Sequence, residues 1–302
     1  MSVHISHLSK KYGTQNVLDD VSFVAEKGQI TGFLGPNGAG KSTTMKIATG
    51  YVPANGGTVT IAGTDIAQNP LEAQRKIGYL PEHNPLYLDM YVHEYLEFIS
   101  SIYKLKDSKS KVASTIERVG LSREQGKKIL ALSKGYRQRV GLAQALIHDP
   151  EVLILDEPLT GLDPNQIVEI RNLIKELGEN KTVIFSTHIM QEVQSLCDKV
   201  VIIHKGKIVA DKSLSDLKSS ADARKSVQIE LAKVWEMETL HAIDGILEIV
   251  PLSPTKARIY YSQQTDIRPE LFKWASEQDN SLLSLMAEED SLESIFQKLT
   301  IG

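Results

Sequence analysis

Eight consecutive residues, Gly35-Pro36-Asn37-Gly38-Ala39-Gly40-Lys41-Ser42, place three glycines, a lysine and a hydroxyl in the order G-x-x-x-x-G-K-[ST]. That spacing suits a loop wrapped around phosphate groups. Glycines let backbone N–H groups turn inward on the phosphates, and a helix starting at Thr43 would add the partial positive charge of its N-terminus. Lys41 would reach the terminal phosphate oxygens, and Ser42 would offer its hydroxyl to Mg²⁺. The flanks agree: Ile30–Leu34 is a short apolar run of strand type, and Thr43–Thr49 reads as helix. The chemistry implied is nucleotide phosphate binding, with ATP and Mg²⁺ as the expected ligands.

A second constellation supplies acids. Val152-Leu-Ile-Leu-Asp156-Glu157 is an apolar strand ending in two carboxylates. A buried strand would deliver Asp156 rigidly beside Mg²⁺, and Glu157 could take a proton from an attacking water. Acids at a strand end are common where a strand meets solvent. The phosphate loop upstream makes the catalytic reading the stronger one.

With these motifs in hand, residues 1–220 resemble the ATP-binding subunits of ABC transporters. Leu132-Ser133-Lys134-Gly135-Tyr136, followed by Arg137-Gln138-Arg139, resembles that family's signature motif. The resemblance implies a helix start facing ATP held by an opposite subunit, with Ser133 and the N–H groups near Gly135 donating to the γ-phosphate. It also implies that Thr160-Gly-Leu-Asp163 is the loop of the dimer interface, with Asp163 at the nucleotide site. His188, in Ser186-Thr-His188, would be a γ-phosphate sensor, and Tyr12 the aromatic that stacks on adenine.

The chain departs from the family pattern in two places. Lys134 and Tyr136 stand where Gly and Gln are usual in the signature. Ile77-Gly-Tyr-Leu-Pro-Glu82 resembles the family's Q-loop strand, but its usual Gln is Glu82. An ionised carboxylate only accepts hydrogen bonds and brings charge toward the metal, so Glu82 is expected to join Ser42 and Asp156 around Mg²⁺ and to act in the catalytic cycle. The Glu82 variant, the Lys-Gly-Tyr signature and a C-terminal extension together resemble the ABC-2 exporter branch. Within it, Ile77–Tyr95 and the chain length look most like gliding-motility-associated ATP-binding subunits of bacteria.

These residues need a scaffold. Val21–Val24, Ile30–Leu34, Val59–Ile61, Val152–Leu155, Thr182–Phe185 and Val200–Ile203 read as strands, several of them buried on both faces. Val92, Leu96, Ile99 and Tyr103, then Val112, Ile116 and Val119, recur at helical spacing. The expected fold is α/β: a P-loop, ABC-type nucleotide-binding domain over 1–222 with an inserted helical lobe at about 86–150. The polar stretch 218–225 reads as a linker. Beyond it, strands at 227–231, 246–250, 257–261 and 281–287 alternate with helices at 235–242, 269–275 and 291–299. The last would be opened by an Asp290/Glu293 capping box. That order predicts a small α+β, ferredoxin-like domain over 223–302.

Composition sets outer limits. The 302 residues are 41% hydrophobic and 24% charged, a globular balance. The net charge is −4, and residues 221–302 hold 14 acids against 8 bases. Nucleic acid is therefore not an expected partner. One cysteine, Cys197, excludes a disulfide framework. No apolar run is long enough to insert in a bilayer. The expectation is a cytoplasmic ATPase subunit, peripheral on the inner face of the membrane, that dimerises with itself or a homologous subunit and drives a separate transmembrane permease. Two alternatives stay open: a soluble ABC ATPase acting on ribosomes or DNA, and a nucleotide-binding regulatory module without turnover.

Overall fold

The computed structural model describes residues 2–300 apart from 221–224, 236–239, 241–242, 263–265, 289–295 and 297–298. The chain divides into two compact units, Met1–Leu214 and Ser215–Gly302.

The first unit is built on two sheets. One is antiparallel, in the order β2-β1-β4-β5, from β1 (Val3–Tyr12), β2 (Gln15–Ala25), β4 (Gly56–Ile61) and β5 (Thr64–Asp65). The other comprises β3 (Gln29–Leu34), β6 (Ile77–Leu80), β7 (Val152–Asp156), β8 (Thr182–Thr187), β9 (Lys199–His204) and β10 (Lys207–Ser213), in the order β10-β9-β3-β8-β7-β6. It is parallel from β9 to β6, and β10 closes one edge as an antiparallel hairpin. The all-apolar runs at β7 and β8 reflect this placement, since helices and the first sheet cover both faces.

The core lies between the two sheets. Val3, Ile5 and Phe23 meet Phe33, Ile154, Ile184 and Val201 there, with Met45 and Ala48 of α1 (Lys41–Ala48) packed among them. The rings of Phe23 and Phe33 are 5.1 Å apart. Burying each such side chain is worth about 1.5–3 kcal/mol, so this layer anchors α1 and the loop before it. On the far face, α6 (Pro164–Gly178) and α7 (Met190–Leu196) press Leu173, Ile174, Leu177, Val193 and Leu196 inward.

Between β6 and β7 the chain leaves the sheet to form the helical lobe. Its helices are α3 (Val92–Ile102), α4 (Ser108–Arg118) and α5 (Lys134–Leu146), and the short α2 (Pro70–Arg75) precedes β6. The expected periodic residues are the buried ones: Val92, Leu96 and Ile99 in α3, Val112 and Ile116 in α4.

In the second unit, α8 (Leu214–Ser220) leads to β11 (Lys225–Leu231), β12 (Ile246–Ser253), β13 (Lys256–Tyr261), α9 (Arg268–Glu277) and β14 (Leu282–Glu288). The sheet order is β12-β13-β11-β14, antiparallel throughout. Val227, Ile229, Ala257 and Ile259 pack on Leu271 and Trp274 of α9. Strand β12 runs through Pro251 to Ser253, further than the expected 246–250. At a sheet edge, a proline's missing N–H costs no ladder bond. The helix expected at 291–299, with its Asp290/Glu293 box, and most of that expected at 235–242, lie outside the described residues.

Candidate active site

The phosphate loop leaves β3 at Leu34 and enters α1 at Lys41. Gly40 has φ +113°, and a Cβ there would meet Leu18 at 2.6 Å. A Cβ on Gly35 would come within 2.4 Å of the Ile203 carbonyl oxygen. These two positions therefore demand glycine for conformation and for closeness. Asn37, Gly38, Gly40, Lys41, Ser42 and Thr43 line a cleft of about 620 Å³. Gly35, Pro36 and Ala39 form the underside of the loop. The Ala39 carbonyl accepts from the Gly206 N–H at 3.0 Å, and the Gly35 N–H donates to the Thr187 carbonyl at 3.4 Å.

Lys41 is buried, and its Nζ donates to the Gly35 carbonyl at 2.8 Å. The same Nζ stands 3.6 Å from Glu157 Oε1. Glu157 follows the end of β7 in the left-handed region, with φ +51°. Such a backbone costs about 1–3 kcal/mol for a non-glycine residue. It directs a buried carboxylate at the loop, and the Glu157 N–H donates to the Ser186 carbonyl at 3.1 Å. His188 Nδ1 is 3.0 Å from each Glu157 carboxylate oxygen, and the Thr160 hydroxyl donates to Oε2 at 3.1 Å. A base, a lysine and a histidine thus converge beside a phosphate cradle, which is the arrangement that water-dependent phosphoryl transfer requires.

Asp156 is 1% exposed, and its Oδ1 accepts from the Ser186 hydroxyl at 2.5 Å. Asp156, Ser42 and Glu82 line a second cleft of about 580 Å³, and Ser42 and Glu82 also border the first. Two carboxylates and a hydroxyl are hard oxygen donors of the kind Mg²⁺ takes beside phosphate. Tyr79 lines the same cleft, and its buried hydroxyl has no hydrogen-bond partner among the described residues. Burial first, then the Asp156 and Glu82 carboxylates, push that hydroxyl well above the usual phenol range, so it stays a donor facing the acids. Two residues after Glu82, Asn84 Nδ2 donates to the Arg137 carbonyl of α5 at 3.4 Å. The Glu82 loop is thereby tied to the helix that follows Ser133.

Tyr12 ends β1, is 48% exposed, and borders the first cleft opposite the loop with Gln15 and Val17. A flat ring could lie there against a base.

Ser133, Gly135 and Asp163 line neither cleft. They cluster with one another instead. Ser133 caps α5, accepting from the Tyr136 N–H, and Asp163 caps α6, accepting from the Gln166 N–H at 3.0 Å. A Cβ on Gly135 would overlap Gln166, and one on Gly161 would overlap the Lys134 side chain. The expected signature and interface residues thus form one surface, apart from the phosphate loop of their own chain. The carboxylate of Asp163 is spent on its helix cap.

Thr160, Ser186 and Tyr79 escaped the sequence reading as individual contributors. Asp156 and Ser186 meet through the parallel register of β7 and β8, which no local pattern announces. Tyr79 could have been flagged as the polar-tipped residue sharing the Ile77 face of a short apolar strand that leads to an acid.

A parallel sheet carrying a phosphate loop, a strand-end Asp-Glu pair and a strand-end histidine, with a helical lobe inserted between β6 and β7, defines an ABC-type nucleotide-binding protein. The ABC transporter family model matches residues 18–160. The linearmycin resistance ATP-binding protein LnrL of Bacillus subtilis (strain 168) is 34% identical over 97% of this chain and 96% of its own. The bacitracin transport ATP-binding protein BcrA of Bacillus licheniformis is 34% identical over 99% of this chain and 97% of its own. A solved ATP-binding subunit of an ABC transporter superposes with a TM-score of 0.68 at 31% identity, covering 73% of this chain and 93% of that one. The chain belongs to the ABC transporter ATP-binding family.

Proposed function

We propose that the protein is the ATP-hydrolysing subunit of a bacterial ABC exporter. The observation that carries this reading is Glu157, a buried carboxylate aimed at the phosphate loop and contacted by Lys41, His188 and Thr160. Glu157 takes the proton of the attacking water, and His188 fixes the carboxylate's orientation and senses the γ-phosphate. Ser42, Asp156 and Glu82 would hold Mg²⁺, which when bound orients and neutralises phosphate oxygens. Because Ser133 and Gly135 stand away from their own loop, each site is completed by the signature surface of a second copy or a homologous subunit. No helix among the described residues is long and apolar enough to cross a membrane, so cargo would move through a separate permease that holds the subunit at the inner face.

LnrL and BcrA match almost the whole chain, and their names support a drug-exporting branch. The gliding-motility reading rests only on the likeness of Ile77–Tyr95 and on chain length, and we place it second. Purified protein should hydrolyse ATP only when a divalent cation is present. Tight ATP binding without turnover, with or without Mg²⁺, would overturn this reading in favour of a regulatory module.

Glu82 gives a sharper expectation. Changing Glu82→Gln removes one anionic oxygen donor from the Ser42–Asp156 cleft but keeps the side chain's shape. ATP binding should persist, while half-maximal turnover should need more Mg²⁺. Superimposable Mg²⁺ titrations of ATPase rate for the two proteins would remove Glu82 from the metal site.

For the C-terminal unit we propose a ferredoxin-like accessory domain that supports dimerisation or coupling. The strand order β12-β13-β11-β14 with α9 against one face supports it. A chain ended at Leu214 should keep its ATP affinity and lose dimer stability. Failure of that chain to fold or to bind ATP would show the two units to be interdependent.

A further inference from the structure

We propose that the basic edge of the helical lobe, centred on Lys104, Lys106, Lys109 and Lys111, docks on the anionic headgroups of the membrane lipid. The proposal rests on the reading that this chain works beneath a membrane permease. Residues 104–128 carry eight bases and three acids in a protein whose net charge is −4. All eight bases are exposed. Arg118 pairs with Glu176 and Lys127 with Glu124, but among the described residues Lys104, Lys106, Lys109 and Lys111 form no ion pair. The acids of this element are Asp107 and Glu117. Across from it, Asp149 is held by Lys181 at 2.6 Å and feels Lys111 only at longer range.

The placement works against local stability. Lys109 and Lys111 sit in the first turn of α4, which has no acid there, and its cap residue Asp107 makes no side-chain cap bond. Cations at a helix N-terminus oppose the helix dipole, and Asp107 is the one acid among the four lysines of residues 104–111, so this end of the lobe keeps an excess of positive charge. An external anionic surface offsets it.

Apolar groups adjoin the lysines. Ile102 and Phe98, one turn apart on α3, are 58% and 40% exposed. Lysines flanking exposed Phe and Ile match the pattern of interfacial membrane contact. Tyr103, which precedes the basic run, lines the 580 Å³ cleft with Glu82 and Ser42, so the run leaves the lobe beside that cleft. Ile102 adds contact with acyl chains that a nucleic acid would not use, and α4 itself offers no aromatic ring for base stacking.

The full-length protein is sedimented with phosphatidylcholine vesicles, with and without phosphatidylserine, over a salt series. Binding to the phosphatidylserine vesicles that fades with salt is expected. Equal binding to neutral vesicles, or none to either, overturns the proposal and leaves the ATPase reading untouched, because ATP affinity is measured separately. Replacing the four lysines together (Lys104→Gln, Lys106→Gln, Lys109→Gln, Lys111→Gln) should weaken vesicle binding by on the order of a thousandfold. ATP binding should be unchanged, since none of the four borders the nucleotide cleft, and the thermal midpoint should hold or rise, since two cations leave the start of α4. A variant that sediments like the parent overturns the assignment. So does a single-stranded oligonucleotide that binds through these lysines while the vesicles do not.

Discussion

Glu157→Gln should abolish ATP turnover and leave ATP binding in place. The amide keeps the size of the carboxylate but cannot take the proton of the attacking water. Loss of a positioned general base costs roughly 10²–10⁴ in rate. Glu157 is 7% exposed, so bulk water does not readily replace it. On the proposed reading its charge would also face the γ-phosphate, and removing it would relieve a like-charge repulsion in a closed dimer. Gel filtration with ATP should therefore show a mutant dimer that outlasts the parent's. The local contacts should survive, because Gln can still accept from the Thr160 hydroxyl, which lies 3.1 Å from Oε2. Hydrolysis at the parental rate would end the assignment of Glu157 as the base.

Lys41→Ala acts one step earlier, on binding. Nζ donates to the Gly35 carbonyl at 2.8 Å and lies near Glu157, inside the cradle that receives the phosphates. A charge-assisted contact of this kind is worth about 1.5–3 kcal/mol, a roughly tenfold to hundredfold loss of ATP affinity. The substitution also leaves Glu157 facing the phosphates without a cation, which pushes the loss toward the upper end. Equilibrium titration with a fluorescent ATP analogue checks the value, and a melting curve without nucleotide checks that the fold is intact. An unchanged affinity would mean that the loop does not hold phosphate.

The two variants are expected to fail at separate stages, for a structural reason. Lys41 is held by its own loop through the Gly35 carbonyl, whereas Glu157 depends on a strained backbone, on Thr160 of its own turn and on His188 from another segment. Thr160 lies on the turn after β7 and His188 just beyond β8. A change that disturbs the β7–β8 register would thus damage hydrolysis before it damaged binding.

Much of this could be read along the chain, because the features are local. The phosphate loop needs a strand, glycines at fixed offsets and a helix start, all contiguous over residues 30–49. The apolar runs at β7, β8 and β9 and the periodic residues of α3 and α4 likewise depend on neighbours in sequence. Strands such as β12 were legible in kind but not in length, since whether Pro251 is tolerated depends on its place at a sheet edge.

What remained hidden is set by contacts between distant segments. The pairing of Asp156 with Ser186, the bridge from His188 to Glu157 and the Tyr79 hydroxyl, unpartnered among the described residues, all follow from strand order and register, and strands buried on both faces carry no alternation that would reveal either. The grouping of Ser133 and Gly135 with the Asp163 cap, away from the phosphate loop, comes from α5 packing against the start of α6. The absence of a Cβ at Gly135 and Gly161 permits that packing, since one there would meet Gln166 or Lys134. The spacing of residues along the chain specifies which chemical groups the protein carries. Which of them share a site, and which stand together on a separate surface, follows from how sheet order and helix packing bring remote segments together.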